Sequence, residues 1–136
     1  MKWTVDIPEA DRHAVVTTSG TFGVADHLRM IEDIVSRPGW RPGTDVLFDH
    51  RQLTFGDADF GTMTQARANH LRHNDRIGGG KAAILVRSLS DYGRGRQFEL
   101  LTNDNVAASL CVFLDPDEAV GWLRAGRSPA RAVSGG

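Results

Sequence analysis

The segment from Asp45 to Arg51 constrains the fold of this chain most, because a short apolar run in it is followed directly by an aspartate, a histidine and an arginine. An uninterrupted apolar run of this length is typical of a strand that is buried on both faces and ends at solvent. The segment from Lys81 to Val86 repeats this design and leads into a polar run from Ser88 to Gly95. In an open α/β sheet, ligands bind outside the carboxyl ends of the parallel strands. The sequence therefore predicts one shared polar rim at the ends of these two strands.

The rest of the chain alternates between strand and helix patterns. Strand patterns at 2–7 and 13–19, separated by turn residues at 8–11, predict an antiparallel hairpin that opens the domain. Apolar residues at helical spacing predict an amphipathic helix from Val24 to the stretch rich in Pro and Gly at 38–43. The remaining predicted elements are, in chain order, a strand at 45–49, a connection at 52–57, a long helix from Asp57 or Asp59 to about Arg76, a strand at 81–86, a helix from about Gly93 to Thr102, a strand at 108–113 and a final helix.

Specific residues mark the ends of two of these helices. Gly78 follows the long helix and is predicted to close it in the left-handed conformation. The final helix is predicted to begin with Asp115 as its N-cap, Pro116 at its first position and Glu118 at its third. Its buried face is predicted to consist of Ala119, Trp122 and Leu123. We expect the helix to end at Gly126 and the tail at 127–136, which is poor in large apolar residues, to be frayed.

These elements predict a single α/β domain over residues 1–126. Its centre is a mixed, mostly parallel five-stranded sheet with an N-terminal antiparallel hairpin, and about four helices pack on the sheet. The length of 136 residues is that of one domain with a sizeable core.

The charge balance argues against two classes of partner. The chain has 16 basic and 17 acidic residues and a net charge of −1, so no overall field attracts nucleic acid or a membrane surface. No apolar stretch is long enough to span a bilayer, and the N-terminal segment lacks the apolar region of a signal peptide. The lone Cys111 excludes an internal disulfide and is expected to behave as a small core side chain. We therefore expect a cytoplasmic protein.

Four segments carry a resemblance to a known family: Val46–Arg51, Lys81–Val86, Tyr92–Glu99 and Val112–Leu123. The last is the most specific, because an aromatic residue, an acidic turn, a Glu-Ala pair and a Trp-Leu pair follow one another in it. In these segments the chain resembles the SpoIIAA-like group of STAS domains, which is related to the CRAL-TRIO lipid-binding fold. The resemblance covers nearly the whole chain and implies the α/β fold described above.

The same resemblance bears on regulation. STAS-type anti-sigma-factor antagonists are switched by a kinase that phosphorylates a Ser following an Asp, at the start of the helix after the central strand. Here Asp57 is followed by Ala58 and Asp59. The resemblance implies that this helix start faces a partner but lacks the phosphorylatable hydroxyl, while Asp59 supplies negative charge where the helix dipole stabilises it. A phosphate on nearby Thr54 or Thr62 would restore the idea of a switch.

The predicted rim contains the strongest group of polar residues in the sequence. Besides His50, its members are Asp49, Arg51, Asp91, Tyr92, Arg94 and Arg96. If the two strands are neighbours, these side chains converge, and Arg94 and Arg96 beside a helix N-terminus would bind phosphate or carboxylate. Alternatively, Arg51 or Arg96 pairs with a rim aspartate and only ties the turns together.

Other candidate chemistry is weaker. His70 and His73 lie three residues apart on a helix, but no third ligand has a suitable spacing, so no metal is assigned. His50 and Asp49 are adjacent in a strand and point to opposite faces, which argues against a general base oriented by a carboxylate. The sequence contains no nucleophile motif, phosphate loop or dinucleotide fingerprint. We expect neither enzymatic activity nor a cofactor.

Two functions remain. The first is a non-catalytic STAS-like regulatory module that binds a protein partner through a helix face and the adjoining rim. A homodimer is also possible, because the predicted sheet has an unpaired edge strand. The second is a carrier or sensor of a small hydrophobic or anionic ligand, held in a CRAL-TRIO-like pocket with arginines at its mouth. The side chains that would line this pocket are Trp40, Phe55, Phe60, Met63, Tyr92 and Phe98. The same side chains would otherwise simply fill the core.

Overall fold

Five strands form one sheet, and five helices accompany it in the computed structural model, which describes residues 1–9 and 12–125. The elements are β1 (Lys2–Asp6), β2 (Ala14–Thr21), α1 (Val24–Ser36), β3 (Val46–Thr54), α2 (Phe60–Arg72), α3 (Asn74–Ile77), β4 (Lys81–Leu85), α4 (Leu89–Thr102), β5 (Ser109–Phe113) and α5 (Pro116–Ala125). The strands lie in the order β1-β2-β3-β4-β5. β1 is antiparallel to β2, and the other neighbouring strands are parallel. The predicted mixed sheet with an opening hairpin is confirmed.

The two faces of the sheet are covered differently. On one, which we call the three-helix face, α1 and α4 pack on the sheet, α2 packs against these two helices, and Met30 of α1 lies against Val46. On the other, the α5 face, Ala119 and Leu123 of α5 pack against Ala83 of β4. Because side chains alternate along a strand, neighbouring residues of β3 and β4 contribute to opposite faces.

β3 is longer than its sequence pattern predicts. It continues to Thr54, whereas the pattern predicts a connection over 52–57. Leu53 is 4% exposed and pairs with Gly20 of β2, so the added residues bury apolar surface and extend the ladder. The register between β2 and β3 shifts between Asp49 and Gln52, which places one extra residue in β3. Such a bulge changes the direction of the side chains around it and makes the strand hard to recognise by alternation.

α4 begins earlier than predicted, at Leu89 instead of near Gly93. The Ser88 side chain is its N-cap and accepts a hydrogen bond of 3.1 Å from a backbone N–H in the first turn. Two glycines lower the helix propensity of this segment and favour a turn. One of them, Gly95, lies so close to β5 that a Cβ atom there would be 2.5 Å from a methyl carbon of Val112. Close packing of the helix on the strand therefore overrides the local propensity.

α2 ends sooner than predicted. Asp59 is the N-cap, one of the two predicted candidates, and its side chain accepts a 2.9 Å hydrogen bond from the Thr62 N–H. The helix stops at Arg72, and the single turn α3 follows it instead of a continuous helix to residue 76. Gly78 closes α3 with a positive φ of 75°, as predicted, but its ψ of −171° lies outside the left-handed helical conformation that was predicted. A Cβ atom at this glycine would lie 2.3 Å from the backbone nitrogen of Gly43, so there is also no room for a side chain at this position.

The buried side of α2 also differs from the predicted one. The sequence pattern places Phe60, Met63, Arg67, His70 and Leu71 along one side of this helix, yet Phe60 is 71% exposed and Leu71 is 44% exposed. The buried residues of α2 are Met63, Ala66, Asn69 and His70. Met63 and His70 are therefore confirmed on the buried side, whereas Ala66 and Asn69 take the places predicted for Phe60 and Leu71.

Side chains of α4 and of its C-cap cover the outer edge of β5. Asn103 donates to the Leu110 carbonyl at 3.0 Å and accepts from the Leu110 N–H at 2.8 Å. Glu99, which is 7% exposed, accepts from the Val112 N–H at 2.9 Å. The edge that the sequence leaves unpaired is therefore hydrogen-bonded within the chain at these residues.

The start of the final helix is confirmed. α5 begins at Pro116, and the Asp115 carboxylate accepts a hydrogen bond of 2.9 Å from the Asp117 N–H. Ala119 and Leu123 are buried and Trp122 is half-buried, as the pattern predicts. The predicted helix end at residue 126, the tail at 127–136 and part of the turn at 8–11 lie outside the described residues. Within 1–9 and 12–125, no helix has the length and apolar character that crossing a bilayer requires.

Candidate functional site

A cavity of about 90 Å³ lies between the three-helix face of the sheet and the helices that cover it. Its floor is formed by side chains of β3, β4 and β5, and its roof by side chains of α1, α2 and α4. Most of the lining is apolar, including Met30, Met63, Ala66, Ile84 and Leu110. Since one water requires about 10–15 Å³, a cavity of this size holds several waters or one small organic molecule.

Seven aromatic rings line this cavity and form an unbroken series of ring contacts, which we call the ring chain. Neighbouring centroids are between 5.4 Å and 6.0 Å apart. In order, the rings are Phe48, His50, Phe55, Phe22, His27, His70 and Phe98. Ring pairs at such distances add stabilisation beyond the area that they bury. The ring chain therefore connects the sheet, two loops and three helices around one space.

Two of the three imidazoles in the ring chain are held by hydrogen bonds. The His27 Nδ1 lies 2.9 Å from the Asn69 side-chain nitrogen, which also donates to a backbone carbonyl of α1 at 3.0 Å. Because an amide nitrogen only donates, the His27 Nδ1 accepts and its ring carries the hydrogen on Nε2. The His50 Nδ1 lies 2.6 Å from the Thr18 hydroxyl. His70 differs, because its buried Nδ1 has no hydrogen-bond partner in the described part of the chain.

Burial keeps all three imidazoles uncharged near neutral pH. It lowers the pKa of His50 and the pKa of His70 to about 4, although nearby Asp49 partly opposes the effect on His50. The pKa of His27 is also well below its ordinary value, first through burial and then through the proximity of the other two histidines. A neutral imidazole has one N–H donor and one acceptor nitrogen. The cavity wall is therefore mainly apolar and contains a few uncharged hydrogen-bonding groups.

Two charged residues of the predicted rim also line the cavity. Asp91 and Arg94 lie on α4 and form an ion pair in which Nη1 and Oδ1 are 3.3 Å apart. The Arg94 side chain is 37% exposed, so it connects the cavity wall with solvent. Because the two charges compensate each other, the pair adds no net charge to the site.

Apart from His50, the other rim residues do not line the cavity. Arg51 donates two hydrogen bonds of 2.9 Å to Asp49, and this contact lowers the pKa of the carboxyl group. Arg96 donates a 2.6 Å hydrogen bond to Glu99. Tyr92 is half-buried and does not line the cavity.

The rim residues therefore do not converge on one site, and of the two interpretations left open by the sequence, the pairing of Arg51 with a rim aspartate is the one observed. Among the described residues, Asp49 pairs with Arg51 of its own strand and not with an arginine of α4. The first reason is alternation, since His50 and Phe48 line the cavity and the intervening Asp49 points away from it. The second is the early start of α4, which places Arg94 and Arg96 inside the helix and not beside its N-terminus.

The start of α2 combines an exposed surface with part of the cavity wall. Asp57 is exposed, and Ala58, which stands where the STAS resemblance places the phosphorylated Ser, lines the cavity. Hydrogen bonds from Thr62 lower the pKa of the Asp59 carboxyl group. Phe60 projects outward. Ala58 therefore lies between the exposed start of α2 and the cavity wall.

The residues predicted to line a pocket are only partly the observed ones. Phe55, Met63 and Phe98 line the cavity, whereas Phe60 and Tyr92 do not. Trp40 lines a second, smaller cavity of about 30 Å³ at the other end of β3 and β4. His70 contributes to both cavities.

His70 of α2 and His73, the C-cap of this helix, do not form a shared site. His70 lies in the ring chain, whereas the His73 Nε2 is 3.3 Å from a Glu32 carboxylate oxygen. Among the described residues, no three side chains of His, Cys, Asp or Glu are arranged to hold a metal ion. Cys111 is half-buried in β5, and burial raises the pKa of its thiol.

Sequence reasoning missed the three imidazoles as a group, although a signal for each was present. His27 has the helical phase of Met30 and Ile34, and His70 has the phase of Met63 and Ala66. His50 alternates with Phe48 along β3 in the same way. A histidine in the phase of a buried stripe indicates an inward-pointing imidazole, but only the tertiary structure brings residues this far apart in sequence to one cavity.

The fold agrees with that of a known structure. An uncharacterised protein of the DUF3478 family from Shewanella loihica, described as having a SpoIIAA-like fold, superposes with a TM-score of 0.56. The similarity covers 90% of this chain and 92% of that one. The chain has a SpoIIAA-like fold. At 16% sequence identity the likeness extends to the fold alone. No protein-family model matches the chain, and no curated protein matches it.

Proposed function

We propose that this SpoIIAA-like domain is a non-catalytic regulatory module that binds a small, mainly apolar ligand as a sensor or carrier. The observation that carries the proposal is the cavity of about 90 Å³ in the three-helix face, with its ring chain. Concave sites with an apolar wall and a few placed polar groups are the usual form of small-molecule sites. Arg94 lines the cavity and its side chain is 37% exposed, so one edge of the cavity lies next to solvent.

The state of the polar groups favours binding over catalysis. A general base works best when its pKa is close to the ambient pH. His50 and His70 have a pKa of about 4 and are therefore weak bases near pH 7. Asp49 is held by Arg51 through two hydrogen bonds. His50 is in turn oriented by the Thr18 hydroxyl and not by a carboxylate.

Toluene is a suitable first probe, and two matched variants of α2 test the location. Ala66 is 5% exposed and lines the cavity, whereas Ala68 on the same helix is exposed. Titration with toluene, followed by amide NMR shifts, is expected to perturb residues around the cavity. Ala66→Leu fills the space and is expected to abolish the perturbation, while Ala68→Leu leaves it intact. Equal binding by both variants, or no shift in the wild type, would refute the proposed ligand site. Native mass spectrometry of gently purified protein then identifies any natural ligand.

A second function, binding of a protein partner, is favoured by two exposed apolar residues. Phe60 at the start of α2 is 71% exposed, and Leu89 at the start of α4 is 78% exposed. Because β3 and β4 are parallel, the helices that follow them begin at the same edge of the sheet. The exposed apolar groups therefore accompany the helix start at Asp57, Ala58 and Asp59, where the STAS resemblance expects a partner.

This second function is tested by pull-down. Replacing Phe60 and Leu89 together by Ser is expected to remove a specific partner. The control is Leu100→Ser, since Leu100 is 73% exposed but lies at the other end of α4. A partner that is retained by the double variant would count against this surface.

A further inference from the structure

The polar groups of the cavity differ in how far their hydrogen-bonding capacity is used. Asn69 holds His27, and Thr18 holds His50. His70 is 7% exposed and lines the cavity, yet its Nδ1 has no partner in the described part of the chain. Buried polar groups are nearly always hydrogen-bonded. The Nδ1 atom of His70, a residue that borders both cavities, is therefore a hydrogen-bonding position that the described part of the chain leaves unused.

We propose that the ligand of this cavity is a small uncharged molecule with one ring and one hydroxyl group, of the phenol class, and that its hydroxyl bonds to His70. This inference rests on the proposed ligand-binding function and specifies the chemistry of the ligand. The ring of the ligand packs against the ring chain, and its hydroxyl either donates to or accepts from an imidazole nitrogen.

The charges around the cavity select an uncharged ligand. Asp91 and Arg94 line the cavity, and they neutralise each other at 3.3 Å. The other polar groups that reach the cavity are the three imidazoles and the Thr62 side chain, which carry no charge near pH 7. A buried ion needs a partner of opposite charge. A carboxylate or an ammonium group deep in the cavity would have none unless the Asp91–Arg94 pair separated.

The size of the cavity limits the ligand to a single ring. A cavity of about 150 Å³ with an apolar wall binds benzene, and the volume here is about 90 Å³. A ring therefore fits only if neighbouring side chains move and provide roughly 60 Å³ more. Met30 and Met63 both line the cavity, and methionine adapts to changes of shape more easily than branched side chains. A long acyl chain would need a much larger rearrangement of the core.

The matching experiment compares phenol with toluene, which has the same shape but no hydroxyl. Dissociation constants are measured by amide NMR shifts for the wild type, with benzoate and benzylammonium as charged analogues. We expect phenol to bind about fivefold to tenfold more tightly than toluene, which is the effect of one hydrogen bond. Both charged analogues are expected to bind more weakly than phenol. Tighter binding of toluene or of either ion would overturn the proposal.

Variants of His70 then locate the hydroxyl contact. His70→Phe keeps a ring in place and is expected to remove the preference for phenol while toluene still binds. His70→Gln restores a hydrogen-bonding group and is expected to recover part of the preference. His73→Phe is the control, because His73 lies outside the ring chain and contacts Glu32. An unchanged preference in His70→Phe would refute the contact.

The two levels of the proposal fail in different ways. If apolar probes such as toluene bind in the cavity but phenol shows no advantage, the ligand class is wrong and the ligand-binding function stands. If no probe perturbs the wild type at all, both are wrong. The comparison of the four probes on the wild type decides the ligand class even if a His70 variant does not fold.

Discussion

The two faces of the sheet share the same strands but are filled to different degrees. On the α5 face, Ala83, Ala119 and Leu123 are at most 1% exposed and pack directly on one another. On the three-helix face, a cavity of about 90 Å³ remains, and imidazoles form part of its wall. A well-packed face needs no polar groups, whereas a face with a cavity loses dispersion contacts around it. Dense apolar packing is thus found on the α5 face, whereas the unfilled space, and with it the proposed ligand site, lies on the three-helix face.

The largest expected effect is a loss of stability at low pH, which arises from histidines of the three-helix face. His50 and His70 have an ordinary pKa of 6.5 when unfolded and a pKa of about 4 when folded. Between these values the unfolded chain binds more protons, so the free energy of unfolding falls as the pH falls from 6.5 to about 4. The loss is on the order of 2–3 kcal/mol for each of these imidazoles, since one pKa unit corresponds to about 1.4 kcal/mol. Urea unfolding across this pH range measures it.

The control for this prediction is His70→Phe, which removes one titrating group from the three-helix face. Its free energy of unfolding is expected to depend less steeply on pH than that of the wild type. Asp33, Asp49 and Asp59 have lowered pKa values in the folded protein, so they add to the loss of stability only near the acidic end of this range, and they do so equally in the variant and in the wild type. A wild-type stability that stays constant over this range would show that the imidazoles are accessible to protons in the folded state.

The next largest effect concerns the packing of the α5 face. Leu123→Ala removes a side chain that is 1% exposed and is expected to cost about 2–5 kcal/mol. The control is Leu100→Ala on α4, where the side chain is 73% exposed and the expected cost is below about 0.5 kcal/mol. Both are measured by chemical unfolding at neutral pH. A small cost for Leu123→Ala would mean that the α5 face is less well packed than its burial indicates.

Two neighbouring alanines of β4 compare the faces directly. Ala83 is fully buried beneath α5, and Ala82 lines the cavity on the three-helix face. Ala83→Val is expected to overpack the α5 face and cost about 1–3 kcal/mol. Ala82→Val adds the same two methyl groups where space exists and is expected to change stability by less than about 1 kcal/mol. Because the strand propensity of the two variants is the same, equal costs would contradict the contrast between the faces.

The smallest expected effect lies at the partly exposed end of β3. Arg51→Gln removes the ion pair with Asp49, in which the Arg51 side chain is 43% exposed. Ion pairs of this exposure contribute about 0–1 kcal/mol. The pKa of Asp49 is expected to rise towards its ordinary value, which NMR titration of the carboxyl group measures. No change in this pKa would show that the two hydrogen bonds seen between these residues do not persist in solution.

The fold was predictable where local chemistry and tertiary structure agree. The N-cap at Asp115 and the N-cap at Asp59 fulfil local rules that no distant contact opposes. The early start of α4 was missed although Ser88 and Asp91 have the spacing of a capping box, because two glycines in the same segment favoured a turn. The reason for Gly95 in that helix is its contact with Val112, which no sequence pattern shows.

The candidate site was less predictable, because it depends on long-range contacts. Alternation along a strand correctly separated His50 from Asp49. The sequence does not show that a bulge follows Asp49 or that His27, His50 and His70 meet in one cavity. The charged residues at the strand ends led to the prediction of a site at the rim, whereas the candidate site consists mostly of uncharged rings. Polar residues at strand ends are a weaker guide to this site than histidines in the phase of a buried stripe.

The hydrogen bonds that Asn103 and Glu99 make to β5 have a consequence for assembly. The backbone groups of Leu110 and the Val112 N–H are already bonded within the chain. A second copy can therefore not extend the sheet beyond β5 unless α4 first moves away. Strand exchange and fibril growth at this edge are thus opposed by the same helix that forms one wall of the cavity, so an opening of the cavity that displaces α4 also exposes the chain to aggregation.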